Sequence, residues 1–347
     1  MTLTERPPDP GGNFGSDPRP RPGPPPPRAA LDRAGRLAAS PAWPVRTTWW
    51  ILAVVIFYFL VELVFGHTAV SIANLVQGLA LGSLYGVIGV GIILIYRTSR
   101  IINFAAGAVG AVPAIVALLL DLQYHVNYLA VLPIAVIGGP ALAAAVDVFV
   151  MRRFDRSPRL ITTVVTIGVA QSLAVLGFFI PVWMGQKATQ LGAVVPTPWS
   201  GWAIHNHRGE PMLSGNQIAA FVVVLSLTAG LSAFLRYTRV GIALRASAEN
   251  ADRALLLGIP VKMVATSAWA LAGLLSAMAI FVQAPLIGTP SDATLGFDTL
   301  LYGLAAAVVA RMERFGVALA AGLGIGVIIT GSIMFIMTLS ALFSSIS

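Results

Sequence analysis

The sequence has no cysteine, only two lysines and few charged residues of any kind. Of its 347 residues, 57% are hydrophobic and 10% are charged, whereas an ordinary soluble domain carries about a quarter charged residues. The lack of cysteine excludes disulfides, a thiolate metal site and a cysteine nucleophile. The lack of charge, together with repeated long apolar runs, indicates a polytopic membrane protein.

Neither lysine stands in a phosphate-binding loop. A P-loop needs Gly-Lys followed by Ser or Thr, but Lys187 follows Gln186 and Lys262 follows Val261. The candidate spans also lack an ionisable residue near their middle, where ion-coupled transporters usually keep one. We therefore expect no ATP hydrolysis by this chain, no proton coupling and no intramembrane acid–base catalysis; the chain is predicted not to be an enzyme.

Apolar stretches of about 20 residues are long enough for a helix to cross the hydrocarbon core. Nine candidates occur, of which the eighth is short. They predict an all-α fold, a bundle of about eight or nine transmembrane helices at residues 49–65, 70–96, 104–121, 128–150, 160–184, 217–236, 262–284, 298–311 and 315–338.

The basic residues give the orientation. If the first 46 residues are cytoplasmic, the segments inside hold 20 of the 22 Lys and Arg residues, and the segments outside hold Lys187 and Arg208. Such an excess on one side is the positive-inside signal. The sequence thus predicts a multi-pass protein of the cell (inner or plasma) membrane with a cytoplasmic N-terminus.

Residues 1–46 differ in kind from the rest. They contain 12 of the 23 prolines and seven arginines, and such a composition does not bury enough apolar surface to offset the entropy of ordering. We predict a disordered Pro/Arg-rich cytoplasmic tail, followed by a transmembrane domain over 47–347 with a charged cytoplasmic loop at 237–262.

The second span is rich in glycine. Gly78, Gly82 and Gly86 recur every four residues on one helix face, a spacing that lets helix backbones approach closely in lipid. Packing is the default interpretation. The alternative is that this face lines a solute pathway together with neutral polar groups of neighbouring spans. The candidate pathway residues are Asn74, Gln77, Gly78, Gly82, Tyr85, Asn103, Gly107, Thr166 and Gln171.

The outer loop contains His205-Asn206-His207. Two histidines are metal-ligand types, but Glu210 is the lone acid nearby. A solvated loop is the favoured interpretation, and no metal site is predicted.

Three segments resemble one family, the permeases of branched-chain amino-acid-type ABC importers. The run LVQGLALGSLYGVIGVGIILIYRTSRIINFAAGAVG at 75–110 is similar to its signature, a Gly-rich span, a basic turn and an I-N-F-A-x-G motif. RASAENADRALLLGIPV at 245–261 resembles its cytoplasmic loop that docks on the ATPase. GFDTLLYGLAAAVVARMERFGVALAAGLGIGV at 296–327 stands where the family has its late spans.

The resemblance implies a permease that moves solute by alternating access. Its partners would be a second homologous permease, two ABC ATPase subunits, an extracytoplasmic solute-binding protein and a small-molecule substrate. The chain itself would bind no cofactor, since ATP is used by the partner subunits. By this resemblance, the residues that couple the permease to the ATPase would be Ala248, Glu249, Asn250, Asp252, Arg253, Leu257 and Gly258. Leu255 and Leu256 would lie on a docking or packing face.

Two features depart from the family. Where a Gly-Gly-x-Gly-Ser-like turn is usual, this chain has Ala-Arg-Met-Glu-Arg-Phe-Gly at 310–316. The chain also stops without the further apolar segment and basic terminus common in the family, so we expect a fragment or a diverged paralogue.

Two other functions stay open. A stand-alone channel or facilitator for a small neutral solute such as urea or an amide fits the uncharged spans but leaves the loop at 245–260 unexplained; transport without ATPase subunits would identify it. A transport-inactive regulatory membrane subunit fits the unusual terminus and the Pro-rich tail.

Overall fold

The structure, a computed structural model, describes residues 72–155, 157–185, 194–205, 211–289 and 296–346. The Pro/Arg-rich tail and the candidate span 49–65 lie outside these residues, as do His207 and Glu210 of the outer loop. The predictions made for them remain predictions.

The described residues are almost entirely helical. In chain order the helices are α1 (Ile72–Ser99), α2 (Ala106–Tyr124), α3 (Tyr128–Phe149), α4 (Arg159–Trp183), α5 (Gly215–Tyr237), α6 (Arg239–Glu249), α7 (Ala251–Leu256), α8 (Val261–Ile287), α9 (Phe297–Val309) and α10 (Phe315–Ile346). A short 3₁₀ turn, Met151–Phe154, follows α3.

Seven of these helices contain stretches that are long and apolar enough to cross a membrane. α9 is shorter, with 13 residues, which at 1.5 Å per residue gives about 20 Å. The bundle predicted from the sequence is confirmed over the described residues, including the short eighth candidate. Pro113 lies inside the continuous helix α2.

The long segment between α4 and α5 contains structure that the sequence did not predict. Two short strands, β1 (Ala203–His205) and β2 (Pro211–Ser214), pair antiparallel with Ile204 opposite Leu213. Ser214 then caps α5 in a capping box with Gln217. This hairpin brings the chain directly into the next span, because the last strand residue is also the helix cap.

α1 is the centre of the bundle. Every residue from Ala80 to Ile95 is buried, because α8, α9 and α10 pack around it. One side of α1 meets α10 through glycines: a Cβ on Gly82 would lie 2.5 Å from the Gly322 carbonyl oxygen, and a Cβ on Gly322 would lie 2.5 Å from Gly86 Cα. Real Cβ atoms do not approach so closely, so the two backbones touch directly at these positions.

A second glycine contact joins α3 to α8. A Cβ on Gly139 would lie 2.6 Å from the Gly273 carbonyl oxygen and 2.7 Å from Ala277 Cβ. The membrane-crossing stretches of α4, α5 and α10 are largely exposed, whereas those of α1, α2 and α8 are mostly buried. The described chain is therefore a close-packed group around α1, α2 and α8, with α4 and α5 at its periphery.

The turn between α9 and α10 has a glycine-type conformation without glycine. Arg311 and Met312 have φ of 57° and 55°. Their N–H groups bond the Val308 and Ala307 carbonyls at 2.8 and 2.9 Å, the pattern of a Schellman C-cap. Arg311 thus occupies the position at which glycine is usual in such caps.

We predict that Gly322→Ala destabilises the protein and that Gly324→Ala does not. The first methyl group would collide with the α1 backbone, whereas nothing lies within 4 Å of the second. Overpacking costs about 1–3 kcal/mol, and alanine in an open helix position gains up to about 1 kcal/mol over glycine. Thermal unfolding of both variants in detergent measures this difference. Equal melting temperatures would contradict the proposed backbone contact.

Candidate functional site: the charged loop and the span ends around it

The segment singled out in the sequence forms two helices joined at one residue. α6 ends at Asn250, whose side chain accepts a hydrogen bond from the Arg253 N–H at 3.0 Å and so caps α7. α7 ends in a Schellman motif, with the Gly258 N–H bonded to the Leu255 carbonyl and the Ile259 N–H to the Ala254 carbonyl, both at 3.0 Å. Gly258 has φ of 77°, which only glycine adopts without cost. Gly258 therefore ends α7 in a turn that favours glycine.

Three consecutive leucines project from this segment. Leu255, Leu256 and Leu257 are 58%, 88% and 79% exposed, while Ala254 is buried. Glu249, Asn250 and Arg253 are exposed beside them. Such an apolar cluster bordered by polar groups is typical of a protein interaction surface.

The segment is attached to the membrane helices on its first side through Arg100. This residue follows α1, and its Nη2 donates to the Ala248 carbonyl at 3.3 Å. Arg100 has φ of 55°, and its N–H bonds the Tyr96 carbonyl at 2.8 Å. The end of the central helix therefore contacts the end of α6 directly.

On its second side the segment continues into α8, which is attached to α3 by a charged network. The Thr266 hydroxyl donates to Asp147 Oδ2 at 2.5 Å and accepts from Arg152 Nη2 at 2.9 Å. Arg152 Nε lies 3.7 Å from the same carboxylate oxygen. Asp147 is 4% exposed, and a buried carboxylate needs such partners to stay charged. Lys262 adds an exposed ion pair with Asp155 at 3.9 Å.

A cavity of about 710 Å³ opens beside this network, between the ends of α1 and α3 and the starts of α4 and α8. Its lining includes Asp147, Arg152, Leu255 and Lys262. The loops that border it are those that carry the predicted cytoplasmic arginines. The charged loop, the end of α1 and the start of α8 thus surround one cavity with charged groups in its wall.

A second cavity, of about 470 Å³, lies at the opposite ends of the helices, where α3 and α5 begin and α8 ends. Its lining is apolar and aromatic, with Tyr128, Trp199 and Phe281 among its walls. Tyr128 stacks on Phe281 at 4.5 Å between ring centroids, and its hydroxyl donates to the Phe281 carbonyl at 3.2 Å. Trp202 also lines this cavity.

The structure places most of the candidate pathway residues in close packing. Gly78 and Gly82 contact α10, and Gly107 contacts the Gly296 carbonyl. Tyr85 is buried with its ring centroid 4.9 Å from that of Tyr302. Within the chain, these residues therefore pack against neighbouring elements, as the packing interpretation predicts.

Asn103 and Thr166 hold the turn before α2. The Asn103 Oδ1 accepts from the Ala105 N–H at 2.9 Å, and the Thr166 hydroxyl accepts from the Phe104 N–H at 3.1 Å. Asn103 is not the cap of α2, because the cap is Ala105, without a side-chain hydrogen bond. Both side chains satisfy backbone groups in a buried turn.

Gln171 is the candidate pathway residue that faces outward. It lies on the exposed side of α4, and its amide has no hydrogen-bond partner among the residues that the structure describes. Asn74 and Gln77 are half-buried in the first turns of α1. The role of all these residues in transport remains a prediction.

Arg100, Arg152 and Thr266 were not selected from the sequence. Thr266 follows Lys262 by four residues, so both share one face of α8. Asp147 stood out as an acid at the inner end of an apolar span, a position that requires a partner. Which partner it takes depends on the packing of α3 on α8, which periodicity does not give.

Comparison with known proteins agrees with this architecture. Residues 74–346 match the family described as "Branched-chain amino acid transport system / permease component". The high-affinity branched-chain amino acid transport system permease protein LivH of Escherichia coli K12 is 25% identical over 262 residues, which cover 72% of this chain and 82% of that protein. BraD of Pseudomonas aeruginosa is 26% identical over 267 residues, 73% and 83% of the two chains.

Two further matches were also found. A probable LivH of Methanocaldococcus jannaschii is 28% identical over 196 residues, 55% of this chain and 59% of that protein. A solved structure of PsaBC from Streptococcus pneumoniae in complex with Fab aligns with a TM-score of 0.35 and 16% identity over 77% of this chain and 89% of that one.

The fold and the family match together define a multi-pass membrane transport component of the ABC-transporter type. The chain belongs to the family of branched-chain amino acid transport system permease components. The resemblance inferred from the sequence is confirmed. This family is a transport permease family and not an enzyme family, and membership implies a complex with partner subunits.

We predict that Thr266→Val lowers stability more than Lys262→Ala. The first change removes a hydroxyl that bonds both a buried carboxylate and Arg152, and losing such bonds costs about 1–3 kcal/mol. The second removes an exposed pair, which is worth about 0–1 kcal/mol. Urea or thermal unfolding in detergent compares them. A larger effect of Lys262→Ala would show that the network does not join α8 to α3.

Proposed function

We propose that the chain is the membrane-spanning subunit of an ATP-driven importer for branched-chain or related amino acids. The observation that carries the proposal is the charged loop at 248–258. It presents exposed leucines and polar groups on one side, and it is attached to α1 through Arg100 and to α3 and α8 through Thr266 and Asp147. A force on this loop therefore acts directly on the ends of three membrane helices.

The energy source is proposed to be a separate ATPase subunit that docks on this loop. Leu255, Leu256 and Leu257 would enter an apolar cleft of the ATPase, because water-exposed leucines gain about 1.5–3 kcal/mol each on full burial. Glu249, Asn250, Asp252 and Arg253 would make polar contacts around them, and Ala248 and Gly258 would keep the two ends close to the bundle. ATP-driven movement of the ATPases would then switch the solute pathway between an inward and an outward opening.

A second homologous permease would complete the pathway. α4 exposes Gln171 together with a largely apolar surface, and an unpaired amide is unfavourable against lipid. Facing a second subunit across a solute-filled space satisfies this group without a charge in the span. A neutral wall suits a zwitterionic amino acid, whose charged ends helix termini can hold. An extracytoplasmic solute-binding protein would deliver the solute.

The substrate class rests on the relatives, whose names state branched-chain amino acid transport. The orientation, with the charged loop and the N-terminus in the cytoplasm, rests on the distribution of the arginines. In that orientation the loop at 248–258 meets a cytoplasmic ATPase, and the apolar cavity at the Tyr128 end lies on the outer side.

We predict that tagged chain extracted in mild detergent brings down an ATPase and a second permease, identified by mass spectrometry. The double variant Glu249→Arg, Leu256→Asp should lose the ATPase and keep the second permease, because both substituted residues are exposed on the loop. Glu313→Arg, an exposed residue of another predicted cytoplasmic turn, is the matched control and should keep both partners.

The opposite result is equally informative. If the folded native chain comes down alone under conditions that preserve other importers, ATP coupling is abandoned, and passive flux of urea or an amide is tested in its place. If the double variant keeps the ATPase, docking occurs elsewhere on the chain.

A further inference from the structure

α6 begins at the level at which the membrane span α5 ends. Only Thr238 separates the two helices, and its hydroxyl accepts a hydrogen bond from the Gly241 N–H at 2.9 Å. A side chain at Gly241 would collide with the Phe234 carbonyl and with Leu235. The first turn of α6 therefore lies directly against the last turn of α5.

The rest of α6 stays at the same level. Leu244 and Arg245 share a small cleft with Leu94 and Arg97 at the end of α1 and with Phe315 at the start of α10. Beyond them the Ala248 carbonyl accepts the hydrogen bond from Arg100. α6, about 16 Å long at 1.5 Å per residue, thus lies across the ends of three membrane helices. It does not extend away from them.

The exposed side chains of this region combine arginines with apolar groups. Arg239, Ile242 and Arg245 are exposed on α6, and Arg236 and Tyr237 are exposed in the last turn of α5. Tyr237 is 82% exposed and Ile242 is 52% exposed. We refer to these five residues as the basic strip.

Among the residues that the structure describes, no carboxylate forms an ion pair with Arg236, Arg239 or Arg245. Glu249, the acid of α6, lies at the far end of the helix, next to the loop at 248–258. The positive charge is therefore concentrated at the end that adjoins α5.

This arrangement is complementary to anionic lipid. Helices that lie in the membrane interface place apolar side chains at the acyl boundary and arginines among the headgroups. Each basic residue near an anionic surface contributes about 1 kcal/mol, and guanidinium groups bind phosphate through paired hydrogen bonds. We propose that the basic strip binds the headgroups of anionic phospholipids, with Tyr237 and Ile242 at the acyl boundary.

An ATPase surface is the competing partner for the same residues. The position of α6 favours lipid, because its first turn lies beside the last turn of the membrane span α5. Basic and apolar residues are interspersed at that end of the span. In the orientation proposed above, the lipid belongs to the cytoplasmic leaflet. Binding to lipid itself needs no ATPase, so it is tested on the full chain alone.

The absence of cysteine makes a direct test practicable. Ile242→Cys gives a single attachment site for a polarity-sensitive fluorophore in the full chain, reconstituted in phosphatidylcholine vesicles that contain phosphatidylglycerol. The quencher is phosphatidylglycerol or phosphatidylcholine spin-labelled near the headgroup, at equal mole fraction. We expect at least about twofold stronger quenching by the phosphatidylglycerol, since about 1 kcal/mol per arginine is roughly a fivefold local enrichment.

Three variants control the result. Leu256→Cys, at the 88% exposed position of α7, should show no such preference. In the Ile242→Cys chain, changing Arg236, Arg239 and Arg245 together to Gln should abolish the preference, and changing them to Lys should keep most of it because the charge is retained.

Several outcomes would overturn the proposal. Equal quenching by both lipids shows apolar contact without anionic selectivity, and no quenching by either shows that α6 faces water. A preference that survives the Gln substitutions assigns the lipid to other residues. If iodide in the aqueous phase reaches the label until purified ATPase is added, the strip belongs to the ATPase interface. None of these readings depends on transport, so they are separable from failure of the importer function.

Discussion

The contact between the glycine faces of α1 and α10 determines how the other helices are arranged. Helices in lipid gain little from burying apolar surface against one another, so close backbone contact and interhelical hydrogen bonds hold them together. Gly82, Gly86 and Gly322 bring the two backbones together without an intervening side chain. With α10 held on one side, α8 and α9 cover the rest of α1, and the central helix has no lipid-facing surface between Ala80 and Ile95.

A buried central helix also explains why its end is a suitable attachment for the charged loop. α1 is constrained on all sides, so a displacement at Arg100 is passed to the close-packed group as a unit. The network of Asp147, Arg152 and Thr266 makes the corresponding attachment at the start of α8. α4 and α5 have fewer constraints, which is consistent with surfaces that face lipid or another subunit.

The order of the helices was predictable because each span is a long apolar run and because the arginines fall on alternate sides. The turn at Gly258 was predictable as well, since glycine followed by Pro260 ends a helix in a known way. The hairpin around Ile204 was not, because three- and four-residue strands carry too little periodicity to be distinguished from a loop.

The site was predictable only in part, for a different reason. The loop at 248–258 stands out as polar between apolar runs, but Arg100 and Thr266 act through contacts with residues more than 100 positions away. Only the packing of α1 on α6 and of α3 on α8 brings those atoms together. The glycines of α1, by contrast, were predictable as one helix face from their spacing. Gly322 and Gly326 have the same spacing, and in the structure α10 covers that face through them.

The residues between α5 and α8 divide into two parts with different chemistry. From Arg236 to Arg245 the exposed side chains are basic and interspersed with apolar groups at the level of the span ends. From Glu249 onward they include an acid, an amide and three exposed leucines. If the first part is held by anionic lipid, α6 gains an attachment to the bilayer that does not move with the ATPase. The loop at 248–258 would then move relative to the held part of α6, and its motion would be directed mainly toward α1 and α8.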